Sequence, residues 1–119
     1  MKIIILGIGT VGEILIKNLA EEGHDIVAID KDSMSVDSVV NRYDVNGFIG
    51  SGIERDILTQ SGVNTADIFI ACTGYDEINV LSCVLAKKLG TKRTIARVRA
   101  PELFRFAKYT RRPWGRRSV

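Results

Sequence analysis

Two hydrophobic periods alternate along the chain: short β-branched runs of about five residues, and longer stretches in which apolar residues recur at helical spacing. The short runs predict strands at residues 2–6, 25–30, 45–49, 67–72 and 94–98. The longer stretches predict helices at about residues 10–22, 32–43, 53–60 and 76–89, and Pro101 suits the first turn of a further helix. This alternation is typical of βαβ units and a parallel sheet.

The first predicted strand, residues 2–6, is apolar on both faces of its pleat, as expected for a central strand covered by helices on both sides. Right-handed crossovers then give an open, doubly wound sheet with the strand order 3-2-1-4-5. With 119 residues, 45% of them apolar, the chain is long enough for one packed core and too short for two. We therefore expect a single α/β domain.

Composition excludes several classes of protein. The longest apolar runs span about five residues, far short of the ~20 that a membrane-spanning helix needs. Met1 and Lys2 lead straight into the first predicted strand, so we expect no signal peptide. Cys72 and Cys83 lie in apolar segments without metal-ligand spacing, which favours a reduced, cytosolic compartment.

The net charge of +3 comes from one end of the chain. Residues 105–119 hold six basic side chains and no acid, so the other 104 residues carry 11 basic and 14 acidic groups, a net charge of −3. A basic tail can bind nucleic acid or anionic lipid. This one is short, with only Tyr109 and Trp114 interleaved, and we expect no nucleic-acid partner.

A glycine motif follows the first predicted strand and opens the first predicted helix. It is a GxGxxG sequence, in which each glycine has its own physical role, and it consists of Gly7, Ile8, Gly9, Thr10, Val11 and Gly12. Gly7 permits the tight turn, Gly9 lets a phosphate approach the backbone, and Gly12 lets the helix lie close to the sheet. The helix N-terminus offers free N–H groups and its positive dipole end to a diphosphate. The motif therefore predicts a Rossmann-like nucleotide site.

An acidic residue stands where such a site needs one, at the end of the second predicted strand. Asp30 is placed to accept hydrogen bonds from the hydroxyls of an adenosine ribose. Its charge would repel a 2′-phosphate, which favours NAD over NADP, although Lys31 would offset part of that repulsion. Glycines that serve packing alone are the alternative interpretation.

Three further loops should meet at the same edge of the sheet. Ser51 and Gly52 follow the third strand, where small residues either leave room for an adenine ring or form an ordinary turn. Thr73 and Gly74 follow the fourth strand, near the expected place of a pyrophosphate or second ribose. For Asp76, with Asn79 in the same first turn, we prefer capping of the next helix to contact with a ligand.

Arg97 lies late in the fifth predicted strand, where its charge requires either a phosphate or a carboxylate from a neighbouring helix or subunit. No catalytic set accompanies these residues in the sequence. His24, the single histidine, lies in a turn at the opposite, amino end of the strands, and no Ser/His/Asp set or paired carboxylate site is apparent. The sequence therefore favours a binding module over an enzyme.

Five segments together resemble the TrkA N-terminal domain, also called the RCK or KTN domain, of regulatory proteins for potassium uptake and potassium channels. The Asp-Glu-x-Asn run and the Ala-Arg-Val-Arg-x-Pro-Glu segment are more specific than the glycine motif. The resemblance covers about residues 1–104, and its segments are residues 2–12, 27–32, 66–73, 76–79 and 95–102.

The resemblance implies a cytoplasmic protein, peripheral to the inner face of the cell membrane, that binds NAD or NADH, ATP, ADP or AMP. It also implies a homo-oligomer, a dimer or a higher ring, beneath a membrane-embedded Trk or Ktr potassium transporter subunit. The expected function is nucleotide-controlled gating without turnover. A small NAD-dependent oxidoreductase, or a fragment of one, is the alternative, and nucleic-acid binding through the tail is a third hypothesis.

Carried over to this chain, the family's phosphate loop matches residues 7–11 and its ribose acid matches Asp30. The loops that line the nucleotide match residues 51–52 and 73–74, and Arg97 matches an arginine at the ligand's far side. Members tuned to ATP often have arginine in place of Thr10, which favours NAD or NADH here. Past residue 104 the sequence departs from the family pattern, so we expect residues 105–119 to be a basic tail that is truncated or non-native.

Overall fold

The computed structural model describes residues 1–100. The predicted helix at Pro101 and the basic tail lie outside the described residues. Strands and helices alternate through the described part of the chain, in the order β1 (Lys2–Leu6), α1 (Thr10–Glu21), β2 (Asp25–Asp30), α2 (Ser33–Tyr43), β3 (Asn46–Ile49), α3 (Arg55–Ser61), β4 (Ile68–Ala71), α4 (Asp76–Leu89) and β5 (Arg93–Ala96).

The five strands form one parallel sheet in the order β3-β2-β1-β4-β5, which confirms the predicted doubly wound topology. β1 lies at the centre and pairs with both β2 and β4, and four of its five residues are buried. Strands covered on both faces lose the usual alternation of apolar and polar residues. This explains why the run of isoleucines at the start of the chain is continuous.

Each face of the sheet has its own hydrophobic core. α1 and α2 cover one face, where Ile16, Val36 and Val39 pack on Ile3 and Ile5 of β1. On the opposite face, residues of α3 and α4, among them Leu58 and Cys83, pack on Ile4 and Phe69. The helices divide in this way because the crossovers reverse direction after β3. The reversal leaves a crevice at the carboxyl end of β1, between β1 and β4.

Most predicted boundaries lie within one residue of those in the structure, and two are wrong by two residues. Arg97 was predicted inside the last strand, but β5 ends at Ala96, because the last ladder pair joins Ala96 to Ala71, where β4 itself ends. The third helix was predicted from residue 53 and begins at Arg55. A turn closed by the Glu54 N–H, which donates to the Ser51 carbonyl oxygen at 3.1 Å, precedes it.

No helix among residues 1–100 is both long enough and apolar enough to cross a membrane.

Acid should weaken the fold partly through Asp67, whose carboxylate accepts a hydrogen bond from the Lys2 N–H at 2.8 Å. This hydrogen bond, with help from the Lys92 side chain, lowers the pKa of Asp67. The stabilisation is therefore complete above the unfolded-state pKa of about 3.9 and is lost as pH falls through the lower folded-state value. Asp67→Asn should lower the free energy of urea unfolding at pH 7 and reduce its loss below pH 4. If the free energy of unfolding of Asp67→Asn fell as steeply below pH 4 as that of the parent chain, this assignment would be wrong.

Candidate functional site

A cleft of about 440 Å³ lies at the carboxyl edge of the sheet, above the ends of all five strands. Ligands of open α/β sheets bind at this edge, where the strand order reverses. The residues that line the cleft come from the ends of the five strands and the loops after them, with one residue each from α2 and α4. They are Leu6, Gly7, Ile8, Gly9, Asp30, Lys31, Asp32, Ser35, Gly50, Ser51, Gly52, Cys72, Thr73, Gly74, Tyr75, Ile78 and Arg97.

Most of the candidate residues from the sequence therefore meet in one place, although they come from loops far apart in the chain. Thr10, Val11 and Gly12 are the exceptions, since they do not line the cleft. Thr10 and Val11 are exposed in the first turn of α1, whereas Gly12 is buried. At this end of α1, only the N-cap residue Gly9, directly before the first turn, lines the cleft.

The turn from β1 into α1 requires glycine at Gly7 and Gly12 for packing. Gly7 has a φ of +99°, and a Cβ there would lie 2.8 Å from the backbone of Cys72 and Thr73. A Cβ on Gly12 would collide with the carbonyl oxygen of Gly7. Backbone atoms cannot move aside cheaply, so these two glycines are needed whether or not a ligand binds.

Gly9 differs from its neighbours, because a Cβ built there would meet nothing within 4 Å. Its φ of −91° is accessible to any residue, so neither packing nor backbone conformation explains a glycine. Gly9 is also the N-cap of α1, and among residues 1–100 no side chain caps the free N–H groups of that helix end. Open space above uncapped amides at a positive dipole end fits a phosphate group.

Asp30 connects the glycine loop to the loop after β2. One carboxylate oxygen, Oδ2, accepts a hydrogen bond from the Ile8 N–H at 2.7 Å, and the other, Oδ1, accepts from the Asp32 N–H at 2.9 Å. Sequence reasoning assigned Asp30 to a ribose alone and missed this role in positioning the loops. Each oxygen keeps a second lone pair, so the carboxylate can still accept from ribose hydroxyls.

The loop after β3 is an ordered turn whose glycine is packed. The Ser51 N–H donates to Glu54 Oε1 at 2.8 Å, and the Ile53 N–H donates to Ser51 Oγ at 3.3 Å. A Cβ on Gly52 would press into the Leu6 side chain. The two interpretations left open for this loop are compatible, because the turn also forms one wall of the cleft.

Asp76 does not cap α4, which contradicts the sequence prediction. The N-cap of α4 is Tyr75, and the Asp76 carboxylate instead accepts hydrogen bonds from the Arg99 and Ala100 N–H groups. The prediction failed because the partner segment lies 23 residues further along the chain. Asn79 was treated as part of the same cap, yet it is fully buried and bonded to Thr73 and Arg97. The Asp-Glu-x-Asn run was the available signal for it.

Arg97 leaves the sheet after the last ladder pair, with its N–H donating to the Ala71 carbonyl oxygen at 2.9 Å, and its exposed side chain lines the cleft. Within residues 1–100, no carboxylate lies at ion-pair distance from it. Burial raises the pKa of the Cys72 thiol, the Arg97 charge opposes that shift, and the Asp30 charge adds to it. The cleft thus has a carboxylate toward β2 and a guanidinium toward β5.

Several residues of the cleft wall were not among the predicted site residues, and Asp32, Ser35, Tyr75 and Ile78 are four of them. Asp32 is the N-cap of α2 and accepts from the Met34 N–H at 3.3 Å. Ser35, Tyr75 and Ile78 had no assigned role, and Tyr75 is 71% exposed at the rim. In the described part of the chain, no group of three or more His, Cys, Asp or Glu side chains is arranged to hold a metal ion.

The family model for the TrkA-N domain matches residues 3–112. The Trk system potassium uptake protein TrkA homolog of Archaeoglobus fulgidus is 42% identical over 102 residues, which are 86% of this chain and 23% of that protein. The Trk system potassium uptake protein TrkA of Halomonas elongata is 43% identical over 101 residues, 84% of this chain and 22% of that protein. The chain thus spans less than a quarter of the length of these curated relatives.

Among solved structures, the GsuK channel bound to NAD is similar to this chain, with a TM-score of 0.75 and 25% identity. The similarity covers 88% of this chain and 20% of the channel chain.

Substitution by alanine should distinguish Gly9, which packing does not require, from Gly12, which packing does require. Gly9→Ala should change the free energy of unfolding by less than about 1 kcal/mol, since the new methyl group meets no protein atom. The same variant should weaken NADH binding by more than roughly tenfold, because that methyl group occupies the space above the helix N-terminus.

Gly12→Ala is the matched control. It should lower the free energy of unfolding by about 3 kcal/mol or more, as an unrelieved collision with backbone does. Urea unfolding without ligand and NADH fluorescence titration measure the two quantities. If Gly9→Ala bound NADH as the parent does, the assignment of the open space to a phosphate would be wrong.

Proposed function

Because this chain belongs to the TrkA-N domain family, we propose that it is a regulatory nucleotide-binding domain that controls potassium transport. The observation that carries the proposal is the cleft at the glycine loop, where Gly9 leaves an uncapped helix end open and Asp30 stands beside it. Packing does not require a glycine at Gly9. Asp30 holds two loops through the N–H groups of Ile8 and Asp32, yet its carboxylate keeps lone pairs that can accept from a ligand. Both have a ready explanation if the cleft holds a nucleotide diphosphate.

The binding residues divide between the two sides of β1. On the β2–β3 side we assign Asp30 and Lys31 to an adenosine ribose, and Ser51 and Gly52 to the wall beside the base. At the glycine loop, the backbone of residues 7–9, which lines the cleft, would face the diphosphate. On the β4–β5 side, Thr73, Gly74 and Arg97 would contact the rest of the ligand. The positions of these groups in one continuous cleft support the assignment.

We propose NAD or NADH as the ligand, in preference to NADP, ATP, ADP or AMP. The carboxylate of Asp30 disfavours a 2′-phosphate, and the cleft continues past the glycine loop to Arg97, where the second half of a dinucleotide would lie. Thr10 supplies no charge for a third phosphate. The NAD-bound GsuK channel, at 25% identity, supports the same choice.

The partner that we propose is a membrane-embedded potassium transporter subunit. The names of the relatives from Archaeoglobus fulgidus and Halomonas elongata, both potassium uptake proteins, support it. The domain would act at the cytoplasmic face of the membrane as a homo-oligomer, a dimer or a ring. Bound nucleotide can regulate transport only if its affinity differs between two arrangements of the assembly. We place the nucleotide-binding unit at residues 1–104, although the family match continues to residue 112.

A panel of NAD, NADH, NADPH, ATP, ADP and AMP in thermal unfolding tests the ligand. NADH at 100 times its Kd should add about 2.7 kcal/mol to the free energy of unfolding, and NADPH should add much less at the same concentration. In Asp30→Ala the difference between NADH and NADPH should shrink, because the repulsive carboxylate is gone.

Each Asp30→Ala measurement is referred to that variant without ligand, since loss of its two backbone hydrogen bonds also costs about 1–3 kcal/mol of stability. A preference for NADH that survives Asp30→Ala unchanged would contradict the ribose assignment.

A regulatory domain should bind NADH without consuming it. The full chain is incubated with NADH and candidate oxidants, and the nicotinamide absorbance is followed at about 340 nm. The absorbance should fall no faster than it does without the protein. The reason is that the cleft wall formed by the described residues holds no histidine, and no carboxylate paired for proton transfer on its β4–β5 side. Substrate-dependent oxidation would support the oxidoreductase hypothesis instead.

A further inference from the structure

The first turn of α4 joins the loop after β4 to the segment after β5. Asn79 is fully buried there, and its side chain makes four hydrogen bonds. Oδ1 accepts from the Thr73 N–H at 2.9 Å and from Thr73 Oγ1 at 2.7 Å, while Nδ2 donates to the carbonyl oxygens of Thr73 at 3.1 Å and Arg97 at 2.9 Å. These bonds use the full hydrogen-bonding capacity of an amide.

Asp76 extends this connection further along the same segment. Its Oδ2 accepts from the N–H groups of Arg99 at 3.1 Å and Ala100 at 2.7 Å. The side chain is 11% exposed, and Oδ1 has no hydrogen-bond partner among the described residues, with Arg99 Nε 3.9 Å away. The Arg99 guanidinium in turn donates to the Gly74 carbonyl oxygen at 2.8 Å. We call Asp76 and Asn79 the α4 clasp.

The clasp touches only one half of the cleft. Thr73 and Arg97, which it holds, line the cleft on the β4–β5 side, whereas Asp30 and Ser51 line it on the far side of β1. In the proposed binding mode, with the adenosine ribose at Asp30, a dinucleotide would extend past the glycine loop to Thr73 and Arg97, whereas AMP would end at the glycine loop.

We propose that Asp76 and Asn79 are positioning residues through which a dinucleotide in the cleft fixes residues 97–100. The inference rests on the proposed function. The Arg97 side chain faces the cleft while its carbonyl oxygen is bound to Asn79, so a ligand that orders one orders the other. Asp76 then fixes Arg99 and Ala100, because its carboxylate accepts hydrogen bonds from both of their N–H groups. Binding and ordering are thermodynamically linked. The clasp must therefore increase the affinity for a dinucleotide by the same factor by which the bound dinucleotide stabilises the clasp.

Asn79→Asp tests the role in binding. The variant has nearly the same shape and keeps an acceptor for Thr73, but it sets a carboxylate oxygen against the carbonyl oxygens of Thr73 and Arg97. We expect its Kd for NADH to rise roughly tenfold, because the buried donor is lost, while its Kd for AMP stays within about twofold. A merely structural role would weaken both ligands alike, and that result, or no change in either Kd, overturns the inference.

Asp76→Ala tests the transmission to residues 97–100 and does not depend on the folding of Asn79→Asp. In the full chain, saturating NADH should slow amide hydrogen exchange at Arg99 and Ala100 by roughly fivefold, and Asp76→Ala should abolish that response. Asp67→Ala is the matched control, since it also removes a carboxylate bonded to a backbone N–H, at the opposite edge of the sheet. The control should keep the response.

The outcomes separate the two proposals. If the parent chain binds NADH but exchange at Arg99 and Ala100 does not change, or if Asp76→Ala keeps the full response, the clasp inference is wrong and the nucleotide site stands. If neither NADH nor AMP binds the parent chain, the proposed function is wrong, and the clasp inference, which rests on it, is wrong as well.

Discussion

The site depends on the close approach of two backbone segments, the turn after β1 and the end of β4. A Cβ on Gly7 would lie 2.8 Å from the backbone of Cys72 and Thr73, and a Cβ on Gly12 would collide with Gly7. Only a turn without these side chains lets α1 start directly above the sheet edge. That start brings the uncapped helix end at Gly9 into the cleft. Any larger residue at Gly7 or Gly12 would move the start of α1 away from its place at the cleft.

Charge in the cleft follows from the strand order. Asp30 ends β2 and Arg97 follows β5, so a carboxylate and a guanidinium lie on opposite sides of the glycine loop. The Asp30 carboxylate also holds the loop itself through the Ile8 N–H. The same group therefore shapes the glycine loop and, in the proposed binding mode, would face the ribose, so a change in its hydrogen bonding would affect both. This double role makes the site sensitive to ligand chemistry on the β2 side.

On the β4–β5 side of the cleft, residues 97–100 are held to the first turn of α4 by polar contacts. The α4 clasp holds residues 97–100 through hydrogen bonds to Arg97, Arg99 and Ala100, and β5 itself contributes only four residues to the edge of the sheet. Buried polar contacts are specific in geometry but leave unpaired groups when one partner shifts. Contacts of this kind are better suited than a packed isoleucine core to a segment that changes between two arrangements.

The sequence by itself determined the five strands, their order and the place of the glycine loop, because these depend on local hydrophobic period, turn residues and the handedness of crossovers. Asp30 and the loops at residues 51–52 and 73–74 followed from the same rules, since parallel strands end at one edge. Tertiary structure alone decided that Gly9 is free of packing while Gly12 is not, and that Arg97 lies beyond β5. It also turned Asp76 and Asn79 from presumed capping residues into a connection across the cleft wall. Each of these depends on contacts between segments distant in the chain, and no local pattern specifies which buried amide or carboxylate meets which backbone group.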